Sequence, residues 1–230
     1  MNQRLYDEKP SSYYEIVRND LMGFIPPHSK RVLDVGCGNG ATAAHIKKRF
    51  DIQEVVGVEF FSAAASVAEK RIDRVLVGDI EELELPFDPG YFDCILCADV
   101  LEHTKDPWIV LRKLGRHLHP CGVLIASIPN LRHLVPLLKI LFDRFEYEGS
   151  GVLDRSHLRF FTLHTIRTMF QDTGYTITQV GANRSVSWKF KLLNVCSLGL
   201  LRPFSVYQYI VVAEKDYRCA NNMNELPGIE

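Results

Sequence analysis

The sequence lacks any long block of one charge, any apolar run of membrane-spanning length, and any repeat or low-complexity stretch. Its 27 Lys and Arg stand against 28 Asp and Glu for a net charge of -1, and the basic residues are scattered. Nothing along the chain therefore carries the footprint that a nucleic-acid backbone demands. The greasiest run, LVPLLKILF from Leu134 to Phe142, is broken by Pro136 and Lys139 and falls far short of the roughly 20 residues a spanning helix needs. No integral membrane contact is expected. The opening MNQRLYDEKPSSYY is too charged to serve as the apolar core of a secretory signal, so the expected location is cytoplasmic. Cysteine is sparse, at six residues. Two of them, Cys94 and Cys97 in FDCILCAD, have C-x-x-C spacing that could suggest redox or zinc chemistry. On a strand, residues three apart point to opposite faces, so they read as buried structural thiols, and no metal site is assigned.

What is present is a globular composition, 47% hydrophobic and 24% charged, in a length that suits one large domain burying roughly 70% of its unfolded surface. Apolar positions at Ile16, Leu21 and Phe24 give residues 11–25 a helical spacing, and PPHSK stops it, so residues 1–29 read as an N-terminal cap helix. Strand and helix patterns then alternate. The strands are RVLDV, EVVGVEF, RVLVGD, FDCILCAD and GVLIASIP, with helices near 41–49, 62–71 and 108–117. Continuous apolar runs bounded by turns are expected of parallel strands covered on both faces. A helix over 163–174 precedes YTITQVGAN, and only about 20 residues separate that strand from VYQYIVVAEK, which favours a closing antiparallel pair over another crossover. The fold class is α/β, a Rossmann-like doubly wound sheet of seven strands, over residues 30–215. Residues 216–230 are polar and read as a flexible tail.

Four acids end four successive strand patterns: Asp34, Glu59, Asp79 and Asp99. They should gather at the carboxyl edge of the sheet, where open α/β folds bind ligands. Acids in such places also cap helices, but four beside a glycine turn favour a ligand. Gly36, Gly38 and Ala41 formally satisfy the G-x-G-x-x-G/A dinucleotide fingerprint, with Glu59 near the ribose-binding position. Asp34 decides against a pyrophosphate. Two charges about 4 Å apart interact by roughly 4 kcal/mol at an effective dielectric of 20, so a carboxylate there repels a diphosphate and attracts a ligand bearing a sulfonium and an ammonium.

At these residues the chain resembles the class I S-adenosylmethionine-dependent methyltransferases of the small-molecule branch. VLDVGCGNG is similar to their first motif, VEF to the end of their second strand, GDIEELELPF to their adenine-binding segment, and FDCILCADVLEHTKDP and HLHPCGVLIASIPN to their fourth and fifth strand regions. The resemblance spans about residues 30–180. It implies a seventh strand that runs antiparallel and S-adenosylmethionine as cofactor. It further implies that Gly36, Cys37, Gly38 and Gly40 surround the methionine moiety beside Asp34, that Glu59 accepts the ribose hydroxyls with Phe60 against adenine, and that Asp79 and the Ile80 amide meet the adenine edge. Asp99 and Val100 then lie close to the transferable methyl.

Methyl transfer from a sulfonium is mainly a matter of alignment, and a base matters when the acceptor is a hydroxyl. His103, one turn beyond the fourth strand, and His157, in the loop GSGVLDRSHLRFFTLHTI, are the catalytic candidates. DRSHLRFF is also similar to an element in members associated with sugar and surface-glycan pathways, so the expected acceptor is a hydroxyl of a sugar or glycan-related metabolite. Asp154, Arg155 and Arg159 in the same loop either join the substrate site or shape it as a lid. The apolar insertions near 131–160 and 185–204 read as a lid, a homodimer contact or a surface for lipid-linked substrate; Tyr13, Tyr14 and Arg18 either close over the methionine carboxylate or pack. Base methylation is disfavoured, because ADVLEH replaces the N-P-P-[YF] type motif and Pro120-Cys121 lies before the fifth strand. The competing readings are a nicotinamide oxidoreductase and a non-catalytic S-adenosylmethionine-binding protein.

Overall fold

The computed structural model describes residues 17–184 and 194–216. In chain order the elements are β1 (Arg31–Val35), α1 (Ala41–Phe50), β2 (Glu54–Glu59), α2 (Ser62–Ala68), β3 (Arg74–Val77), β4 (Phe92–Ala98), α3 (Pro107–His117), β5 (Leu118–Pro129), α4 (Leu134–Leu141), α5 (Leu163–Asp172), β6 (Tyr175–Arg184) and β7 (Val206–Lys215). Seven strands form one sheet in the order β3-β2-β1-β4-β5-β7-β6. The first five pair in parallel, and β7 runs antiparallel to both β5 and β6, as the spacing predicts. The order reverses between β1 and β4, which creates the crevice where such sheets hold ligands.

The apolar runs are continuous because both faces are covered. Leu33, Val35, Ile95 and Cys97 belong to one buried cluster and Val32, Cys94 and Leu96 to another, so neighbours along a strand feed opposite layers. Cys94 and Cys97 are both fully buried on different faces, as the period of two requires, and burial pushes both thiols far up. Gly57 in β2 has a specific reason: a Cβ there would lie 2.5 Å from Cys37 Sγ and 2.9 Å from Ile72 Cδ1. The turn after β1 packs into that space.

Three departures from the sequence reading stand out. The helical spacing predicted for 11–25 appears in the described residues as a short 3-10 segment, Asn19–Phe24; Tyr13, Tyr14 and Ile16 lie outside the described residues. Residues 134–141 form a helix, α4, which Pro136 permits because it sits in the first turn, where its missing N–H costs nothing. β5 begins four residues earlier than GVLIASIP, with a register shift against β4 between Phe92 and Cys94. Residues 185–193 of the 185–204 insertion and, apart from Asp216, the tail fall outside the described residues.

Candidate functional site

The turn after β1 is held by the end of β2. Gly36 and Cys37 both donate to the Val58 carbonyl, at 2.8 and 3.1 Å, and the Gly38 amide donates to Glu59 Oε2 at 2.8 Å. Gly36 has φ +71, and a Cβ on it would meet Val100 Cγ2 at 2.7 Å; both facts demand glycine. Gly38 and Gly40 also have positive φ. Glu59 is therefore a structural tie as well as a candidate ligand group. Its other oxygen accepts from the Phe61 amide at 2.9 Å, and although burial raises its carboxyl, these backbone donors oppose that rise.

Asp34 lies at the floor, 4% exposed. Burial first, then the neighbouring Glu59, push its carboxyl up to about 7, with Arg18 opposing. A third acid is fixed beyond β3, where Asp79 accepts from the Glu81 amide at 3.0 Å. That turn is clamped by a residue the sequence reading passed over: Lys113 of α3 donates to the carbonyls of Ile80, Glu81 and Leu83 at 2.8, 2.9 and 3.1 Å. Glu81 in turn accepts from the amides of Lys105 and Asp106.

Asp99 has φ +58, a conformation Asp tolerates better than most side chains. Its carboxylate is paired with the Arg18 guanidinium and accepts from the Gln208 amide. Arg18 also bridges both oxygens of Asp20, at 3.0 and 2.9 Å, and reaches Ser127 Oγ at 2.8 Å and Gln208 Oε1 at 3.1 Å. The two acids hold Arg18 as a cation against the opposing pull of burial. Asp99 thus anchors the N-terminal segment to the sheet edge, a role the sequence reading did not give it. Ser127 and Gln208 were also missed; their signal is a polar residue inside an otherwise continuous apolar strand.

One pocket gathers these groups: Asp34 to Gly38, Val58 to Phe61, Gly78 to Ile80, Ala98 to Val100, with Thr42, Arg18 and His103. All of the cofactor-site residues expected from the sequence except Gly40 line it. His157 is not on that wall but packs behind it, its ring 4.7 Å from that of His103 at 67°. Residues 154–160 fold back onto the sheet edge, the Leu158 and Arg159 amides donating to the Glu102 carbonyl at 2.8 and 3.0 Å. Asp154 accepts from the amide and hydroxyl of Ser156 at 2.8 and 2.6 Å, and Arg159 donates to the Lys105 carbonyl. Both therefore shape the loop.

Residues 12–180 match a family described as a methyltransferase domain. The chain belongs to the class I S-adenosylmethionine-dependent methyltransferases. Similar curated proteins include 27-O-demethylrifamycin SV methyltransferase of Amycolatopsis mediterranei, 32% identical over 140 residues (58% of this chain, 51% of that protein). Another is trans-aconitate 2-methyltransferase of Deinococcus radiodurans, 32% identical over 165 residues (68% and 59%). This chain spans about half the length of the curated relatives it matches. A solved S-adenosylmethionine-dependent methyltransferase from Archaeoglobus fulgidus superposes with TM-score 0.67 at 19% identity, covering 93% of this chain and all of that one, a likeness of fold.

The pocket of this methyltransferase-family chain fits S-adenosylmethionine. Its wall carries four acids against one guanidinium, Arg18, that is already engaged by Asp20 and Asp99. Gly36 and Gly38 bring backbone without side chains to the pocket wall, and Phe60 supplies an aromatic surface. A pyrophosphate would find no unclaimed Lys or Arg among the lining residues.

Proposed function

We propose that this chain transfers a methyl group from S-adenosylmethionine to an oxygen of a small-molecule acceptor. The observation that carries the reading is the Gly38–Glu59 tie beside buried Asp34, an anionic cradle built on a glycine turn, opening toward His103. In this reading Asp34 and the 36–40 turn hold the methionine part, Glu59 the ribose hydroxyls, and Phe60, Asp79 and Ile80 the adenine. The cofactor supplies an electrophilic methyl whose leaving group is built in. The protein's share is alignment and exclusion of water, worth roughly 7 to 11 kcal/mol of barrier.

An oxygen acceptor is supported by the neighbourhood of His103 and by similarity to proteins named as O-methyltransferases of ubiquinone biosynthesis, including that of Acinetobacter baylyi, 29% identical over 107 residues. His103 Nδ1 lies 3.1 Å from the Ser156 carbonyl and His157 Nδ1 lies 3.0 Å from the Val152 carbonyl. Those carbonyls favour the tautomer with the proton on Nδ1, which leaves the lone pair on Nε2. His103 is the better placed base, and His157 orders it from behind. The finer assignment, a hydroxyl of a sugar or glycan-related metabolite, rests on the DRSHLRFF resemblance. Methyl-labelled cofactor supplied with fractionated cell extract, followed by identification of the labelled product, tests it. Label in a carbon or amine product removes the O-methyl assignment, and label in a phenol removes the sugar.

A further inference from the structure

Behind the His103 wall lies a group of side chains that the methyl-transfer reading leaves unexplained. Glu102 is 1% exposed, and neither of its carboxylate oxygens has a hydrogen-bond partner. A buried carboxyl costs several kcal/mol unless something compensates it, and an apolar residue would fill the same space without that cost. Two buried imidazoles stand beside it. Glu102, His103 and His157 each offer one ligand atom, and these atoms all lie within 4.8 Å of one another.

We propose that Glu102, His103 and His157 form a binding site for one divalent transition-metal cation at the wall of the methyl-transfer pocket. Three ligand atoms held about 2.0 to 2.2 Å from a shared ion at tetrahedral angles lie about 3.3 to 3.6 Å apart, so side-chain adjustments of about an ångström close the triad. The surroundings are those of a prepared site. The Ser156 and Val152 carbonyls 3.1 and 3.0 Å from the two Nδ1 atoms fix ring orientation, the usual arrangement of outer-shell support for imidazole ligands. Leu158 and Arg159 amides bonded to the Glu102 carbonyl join the two halves of the triad, which are more than 50 residues apart in sequence. Two imidazoles and one carboxylate suit Mn²⁺, Fe²⁺, Co²⁺ or Zn²⁺, and three protein ligands leave positions for other groups. Because His103 also lines the pocket, its imidazole lone pair would serve the ion in place of an acceptor proton, and an acceptor with two neighbouring oxygens would be a natural further ligand. That consequence rests on the methyl-transfer reading; the site itself does not.

The test uses the full chain, stripped of metal by chelator and dialysed against Co²⁺ without cofactor. One Co²⁺ per chain, with the visible absorption of a nitrogen- and oxygen-ligated ion, is expected, and Glu102→Gln and His157→Gln should each weaken binding at least tenfold. Binding of S-adenosylhomocysteine by both variants shows that they are folded. Should either fail to fold, the paramagnetically shifted imidazole resonances of Co²⁺-loaded wild-type protein count its coordinated histidines, and two are expected. Absence of stoichiometric binding, binding unchanged in both folded variants, or no shifted imidazole signal overturns the site. Methyl transfer measured with and without the metal is read separately, so loss of that activity and loss of the metal site are distinguishable.

Discussion

Asp34 attracts a cation only when it is ionised, and its surroundings make that conditional. Its folded-state value, near 7, lies above the ordinary 3.8, so the fold favours the protonated form. The linked stability is full below the ordinary carboxylate range and is lost as pH rises toward 7. A bound sulfonium or ammonium reverses the preference, so cofactor affinity should rise with pH from 6 to 8 and then level off, with proton release on binding below 7. Calorimetry in buffers of different ionisation enthalpy measures both. Asp34→Asn should bind cofactor at least tenfold more weakly yet raise unfolding free energy, by on the order of 2 kcal/mol more at pH 8 than at pH 5. An affinity flat across that range would remove the charge argument. At Glu59 two roles overlap, since its carboxylate holds the Gly38 and Phe61 amides. Glu59→Gln, which loses a charge-assisted acceptor worth about 1.5 to 3 kcal/mol, should weaken cofactor binding about 10- to 150-fold.

Among the elements, strands were legible because each is a continuous apolar run, and the antiparallel closing pair followed from the short connection between β6 and β7. The acids at the sheet edge were legible for the same reason: a charge ending an apolar run has nowhere to go but the rim. Side-chain ties between distant elements were not. Nothing in the spacing links Lys113 to residues 80–83, Arg18 to Asp99 or His157 to His103, because each contact is set by how a helix or loop folds back after the strands are placed. The Lys113 clamp is testable at this scale. Lys113→Met keeps the side-chain stem but removes three donors, leaving the Ile80, Glu81 and Leu83 carbonyls without them. A stability loss of about 1 to 2 kcal/mol is expected, with weaker cofactor binding and faster amide exchange confined to residues 79–83. Uniform exchange changes across the sheet would show that the lysine supports the core rather than that turn.

Over the whole molecule, the pocket draws on the ends of β1, β2 and β4, the turn after β3, α1 and Arg18 before the sheet, so a ligand there ties together segments that are far apart in the chain. No helix among the described residues is long and apolar enough to cross a membrane. A ligand that binds only the folded state at a concentration of about 100 times its Kd adds about 2.7 kcal/mol. For a domain of this size that corresponds to a rise in Tm of roughly 5 to 11 °C. S-adenosylhomocysteine should produce that rise and NAD none, because the four acids that welcome an onium group offer a diphosphate only repulsion, and Arg18 is already claimed. Equal shifts from the two would mean that Asp34 is neutral in the complex and that the glycine turn binds phosphate, reopening the oxidoreductase reading. A shift from S-adenosylhomocysteine that vanishes in Glu59→Gln, while that variant's own Tm stays within about 3 °C of wild type, would locate the stabilisation at the ribose-binding acid and not in a general tightening of the sheet edge.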